Sequence, residues 1–137
     1  MGAEENKAVM RELLEASAAN NAARLRELLA PDFIAHLAVG PVGLDAFLEH
    51  NTITGDAFSE KVFTIKDQIA EGDKALVRWT FRGRHTGETM GAKPTGKVVV
   101  ATGMNLFRLA DGRIEEIWVE ADDLGEMQQL GVVKLPE

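Results

Sequence analysis

The pair Asp111-Gly112 constrains this chain more than any other two residues in it. It stands between two stretches in which apolar and polar residues alternate, Asn105 to Leu109 and Arg113 to Glu120. A two-residue type I′ turn needs positive φ at both central positions, and aspartate followed by glycine meets that need at little steric cost. Two antiparallel strands, 97–109 and 113–120, must therefore meet here. Upstream, 61–69 and 75–85 carry the same strand character on either side of Glu71-Gly72-Asp73, which predicts a second hairpin. The stretch 87–96, with Gly87, Met90, Gly91, Pro94 and Gly96, reads as the loop joining the two.

The front of the chain has a different period. Apolar Ala8, Val9, Leu13, Leu14, Ala16 and Ala18 recur every three to four residues, predicting an amphipathic helix over 4–19. Asn20-Asn21 can end it and cap a second helix over 22–29, which must stop before Pro31. A short strand over 32–38, a turn at 40–43 and a helix over 44–50 follow, while 51–59 shows no decisive pattern. Helices first and strands after indicate an α+β fold, with the N-terminal helices packed on one face of a curved antiparallel sheet. At 137 residues and 45% hydrophobic content, the whole chain, 1–137, is expected to form a single domain.

Composition removes several function classes. The formal charge is −7, so there is no basic field for a phosphate backbone, and no nucleic acid is expected as a partner. Without cysteine there are no disulfides, thiolate nucleophiles or Cys-ligated zinc, and chemistry must use oxygen and imidazole groups. The three histidines are far apart with no His-x-x-x-His or Glu-x-x-His pair, so no metal is expected. Gly91 to Val98 approximates a phosphate loop, but Pro94 and the strand after Lys97 contradict that context, and no cofactor is expected. No histidine lies near Ser17 or Ser59 in sequence to suggest a triad. No apolar run reaches the ~18 residues of a membrane span, and a cytoplasmic location is the simplest expectation.

The remaining polar groups near the last strand are the candidates for chemistry. Asp122 can be a general base poised by partial burial, or the N-cap of a helix beginning in Asp123-Leu124-Gly125-Glu126; Asp123 is the better capping candidate of the two. Glu120 can face a pocket, or can share the outward face of its strand with Glu116 and Trp118. Trp79, Trp118 and Phe107 can line an apolar cavity for a ring-bearing ligand, or pack as core or interface. His85 is expected to face solvent or order the loop after it, and His50 to end a helix.

Several of these segments together resemble one family. Pro31 to His36, Gly43 to Phe47, Arg84 to Lys97, and the hairpin from Asp111 through Trp118 and Asp122 to Gly131 are similar to the SnoaL-like ester and polyketide cyclases, of the nuclear-transport-factor-like superfamily. The resemblance spans nearly the whole chain. It implies a cone-shaped α+β barrel around a pocket, dimerising through its sheet, and a cofactor-independent enzyme acting on a small hydrophobic carbonyl compound. The implied reaction is an aldol-type cyclisation, or a related isomerisation or hydrolysis. The aspartate that acts as acid/base in such cyclases falls on Val119 in this chain, which leaves Asp122 or Glu120 as its substitute. His36 holds a family-typical position, and imidazole titrates close enough to neutrality to exchange a proton there. Asn105 stands where the cyclases place a pocket histidine, so it is expected to bind substrate. The alternative reading is a non-catalytic homodimer that binds a small hydrophobic ligand.

Overall fold

Helix α1 (Ala3–Ala18) buries the stripe Met10, Leu13, Leu14 and Ala16, as its three-to-four periodicity requires. The computed structural model describes residues 2–136. Asn20 leaves α1 in the left-handed region at φ 53°, and the Asn21 side chain accepts the Arg24 amide at 3.1 Å to cap α2 (Ala22–Leu28).

Strand β1 (Leu29–Leu37) begins three residues earlier than its sequence pattern indicated. The expected turn at 40–43 holds a short strand, β2 (Gly40–Val42), which folds back on β1. Helix α3 (Leu44–Asp56) runs six residues beyond its expected end. Its second half is rich in threonine and closes with Gly55, poor helix formers that hide the signal; the Thr52 and Thr54 hydroxyls donate to the Leu48 and His50 carbonyls four residues back. Strands β3 (Phe58–Glu71), β4 (Lys74–His85), β5 (Val98–Ala110) and β6 (Arg113–Ala121) form the expected meander. Asp111 and Gly112 adopt φ 51° and 77°, the pair of positive values a type I′ turn needs. Helix α4 (Asp123–Leu130) closes the described elements.

The six strands run β2-β1-β6-β5-β4-β3 in one curled sheet that does not close. It is mixed rather than wholly antiparallel, because β1 joins β6 in parallel, with His36 opposite Trp118. Helix α3 and the meander after it carry the chain across the sheet and back, so its first long strand and its last meet side by side. The inner face holds one core, in which Phe33, Phe107, Leu25, Leu29, Ile114 and Ile117 are essentially inaccessible to water. Full burial of each such side chain stabilises the fold by about 1.5 to 3 kcal/mol.

Two β-bulges set which side chains face inward. In β6, Ile114 and Ile117 are both buried although three residues apart, so an extra residue is absorbed at Glu115 and Glu116 and the alternation restarts. In β3, the register shifts between Ser59 and Val62, with Glu60 at φ 54°. The shift puts Lys61, Phe63 and Ile65 on the inner face.

Candidate active site

The curl of the sheet, α1 and α3 enclose a cavity of about 570 Å³. That volume suits a ligand of one to a few rings. Its wall is mostly apolar: Leu13, Leu14, Phe47, Phe58, Phe63, Trp79, Phe81, Ala101 and Ile117 contribute. Phe63 and Trp79 meet edge to face at 5.4 Å, which fixes the indole on one side.

On the other side of that indole is Gly103, opposite Trp79 in the β4–β5 ladder. A Cβ at Gly103 would lie 2.3 Å from the Trp79 ring, so the missing side chain is what lets the indole lie against β5. Laid there, Trp79 Nε1 donates to Asn105 Oδ1 at 3.1 Å. The bond orients the Asn105 amide. Among the described residues nothing accepts from Asn105 Nδ2, and Asn105 lines the cavity, so two N–H donors are offered to whatever occupies it.

Helix α4 brings two acidic groups to the cavity. Asp123 and Glu126 both line it. Burial, reinforced by the charge of Asp123, pushes the Glu126 carboxyl up to about 6. Helix α4 is held in place by its neighbours: the Asp122 amide donates to the Thr102 carbonyl at 2.9 Å. The Gln129 side chain accepts from the Val100 amide at 2.8 Å and donates to the Val100 carbonyl at 2.7 Å. These bonds satisfy the edge of β5 that extends past the end of β6, so Gln129 stands in for a missing strand residue.

The residues singled out from sequence separate into three groups. Asn105 and Trp79 are in the cavity wall, whereas Phe107 is wholly buried in the core and is not among the lining residues. His36, Trp118 and Glu120 touch the cavity's border, but strand alternation directs their side chains to the outer face, opposite to Ala35, Ile117 and Val119. There the His36 ring stacks on Trp118 at 5.2 Å, and its Nε2 lies 2.6 Å from Glu116, which also receives Arg108 at 3.2 Å. These contacts hold the Glu116 carboxyl below the usual range, the His36 bond first among them. Asp122 is outside the lining; its carboxylate accepts the Gly125 amide at 2.9 Å and caps α4. The roles expected of the neighbouring pair are thus exchanged, with Asp122 the cap and Asp123 at the cavity.

Val119 faces inward opposite Asn105, so the position where the resemblance implies an acid is a cavity position filled by an aliphatic side chain. Glu126 is the group that sequence reading missed as a site residue. Its only signal there was helical spacing from Asp123, which served equally well as a capping pattern.

His85 is completely buried; its Nδ1 accepts the Thr95 amide at 3.1 Å, so it orders the following loop rather than facing solvent. His50 is exposed on α3 at the cavity border. Among the described residues no group of three His, Asp or Glu stands close enough to hold a metal ion, and no helix is long and apolar enough to cross a membrane.

A sequence model of the SnoaL-like polyketide cyclases matches residues 7–130. Among solved structures, wild-type IdmH from Streptomyces antibioticus, a proposed polyketide cyclase, is 32% identical, with 92% of this chain and 98% of that one covered and a TM-score of 0.80. TsrD from Streptomyces laurentii is 25% identical over 97% of this chain and 99% of its own, with a TM-score of 0.87. AclR from Streptomyces galilaeus, a proposed hydroxylase, is 24% identical over 99% and 91%, with a TM-score of 0.89, a likeness of fold alone. No significant match was found among curated protein sequences.

Proposed function

Because this chain belongs to the SnoaL-like polyketide cyclase family, we propose that it is a cyclase-type enzyme that closes a ring in a small apolar carbonyl compound by acid/base chemistry. The observation that carries the reading is Glu126, a cavity carboxyl held at about 6 in an otherwise apolar chamber that also offers the Asn105 amide. A base of that strength is largely ionised at neutral pH yet returns a proton readily, which is what a reversible transfer needs.

In this mechanism the Glu126 carboxylate takes a proton from the carbon next to a substrate carbonyl. The Asn105 Nδ2 group donates to the oxygen as it becomes an enolate, an interaction stronger in the transition state than in the ground state. The enolate carbon attacks a second carbonyl of the same molecule, forming a C–C bond and an alkoxide. The Glu126 proton then passes to the alkoxide, leaving a neutral aldol and the original carboxylate. Trp79 and Phe63 press the apolar body into place, and no cofactor enters these steps.

The first step can be tested without the natural substrate, using 1-tetralone and following deuterium uptake next to its carbonyl by NMR. Uptake above the buffer rate, rising with pH through about 6 and reduced at least tenfold in Glu126→Gln, is the expected result. Val119, aliphatic at the implied acid position, favours a second reading, a carrier that binds the ketone unchanged. Uptake at the buffer rate with tight binding would establish that reading instead.

The outer face favours pairing of two copies through the sheet. Met104 and Val100 are each 47% exposed and Ile34 43%, all on the face that carries the His36–Trp118 stack. Exposed apolar side chains on a sheet face are what a symmetric interface would cover.

A further inference from the structure

Two backbone irregularities and one helix glycine converge on one ammonium group. Lys61 is brought to the inner face of β3 by the bulge at Ser59 to Val62, whose Glu60 adopts φ 54°, a conformation that costs a non-glycine residue energy. Asn20, itself left-handed at φ 53°, accepts from Lys61 Nζ at 2.6 Å through Oδ1. Gly55 of α3 makes the meeting possible, since a Cβ there would lie 2.2 Å from Asn20 Oδ1 and 3.1 Å from Lys61 Nζ.

The ammonium so placed has no direct ion-pair partner among the described residues. Among the described residues no carboxylate forms an ion pair with Lys61, and its hydrogen-bond partner is a neutral amide. Asp56 acts on it only at longer range and is tied instead to the Asn20 Nδ2 group at 3.3 Å. Partial burial pushes the Lys61 ammonium down from the ordinary lysine value, outweighing the opposite effect of the Asp56 charge. Among the described lining residues it is the one lysine or arginine. Ser17, Asn51 and Thr54 border the cavity from α1 and α3, the helices that face β3.

The cavity is therefore polarised. Lys61 stands level with the Gly83–Val99 rung of the sheet, two strands from β5, where Gln129 latches α4 at Val100. Two strand spacings are about 10 Å. One side of the cavity carries a cation with no direct ion-pair partner and the other carries Asp123 and Glu126. A ligand carboxylate is attracted to the first and repelled by the second, which leaves an apolar molecule with one acid group a single favourable orientation.

We propose that Lys61 is the anchor for a carboxylate on the ligand, so that the cavity selects apolar carbonyl compounds bearing a free acid group. Anchored there, the ligand extends past Trp79 with its carbonyl directed towards Asn105 and α4. The inference rests on reading this cavity as the substrate site.

The test is calorimetric titration of the full chain with 2-naphthoate and with its methyl ester, two probes of the same ring differing in charge. The acid should bind at least tenfold more tightly than the ester at pH 7.5. Lys61→Met should bring the two within twofold of each other by weakening the acid alone, with Lys61→Gln as the second variant should the first misfold. Equal affinities in the wild type, or a preference for the acid that survives loss of the ammonium, overturn the Lys61 assignment and leave the cyclase reading standing. Binding of neither probe overturns both.

Discussion

Replacing Glu126 with glutamine should make the protein more stable while it removes the proposed base, and the gain should depend on pH in a direction the structure fixes. Folding raises the carboxyl from the ordinary 4.5 to about 6, by burial first and by Asp123 second. The unfolded chain therefore releases this proton at lower pH than the folded one, so stability falls as pH rises from about 4.5 through 6 and the cost is complete above that. The gap corresponds to about 2 kcal/mol. Because the side chain opens onto a cavity that admits water, screening reduces this to about 1 kcal/mol. Glutamine keeps the shape and does not titrate. For a chain of this length the variant should unfold about 3 °C higher at pH 8 and within error of the wild type at pH 4. Thermal melts of both proteins at the two pH values measure this directly. An equal difference at both pH values would refute the account, since it would show that the change acts through packing and not through the charge.

Other perturbations probe separate links. Gly103→Ala places a methyl group against the Trp79 ring and should break the Trp79–Asn105 bond, costing about 1 to 3 kcal/mol in chemical denaturation and quenching enolate exchange together. Gln129→Ala removes two bonds to the Val100 backbone and should cost about 1 to 2 kcal/mol, with faster amide hydrogen exchange at Val100 as its local signature. If two copies pair through the outer sheet face, Met104→Glu should shift the sedimentation coefficient to that of a monomer; an unchanged value would remove that face from consideration.

Most of the architecture was legible because its signals are local. The Asp111-Gly112 turn and the apolar stripe of α1 involve neighbours a few residues apart. What was not legible follows from residues brought together across the fold. The parallel pairing of β1 with β6 depends on helix α3 and the strands between them, and no local pattern encodes it. The outward face of Trp118 and Glu120 was legible only as one of two alternatives, because the one extra residue absorbed before Ile117 looks in sequence like ordinary alternation. Glu126 and Lys61 escaped notice for a related reason. Each is unremarkable in its own segment, and it is a helix latched by Gln129, or a strand bulged at Glu60, that turns it toward the cavity.

The bulge at Glu115 and Glu116 has a consequence that extends past this one chain. Beyond it, Val119 looks into the cavity and Glu120 looks out. The same residues held in strict alternation from Ile114, with no bulge, would reverse that assignment, exposing the carboxylate to the ligand and the valine to solvent. The chemical repertoire of this wall is thus a matter of parity: whether the strand absorbs one extra residue before Ile117 decides which of Val119 and Glu120 meets the ligand, with no substitution at any position that touches it.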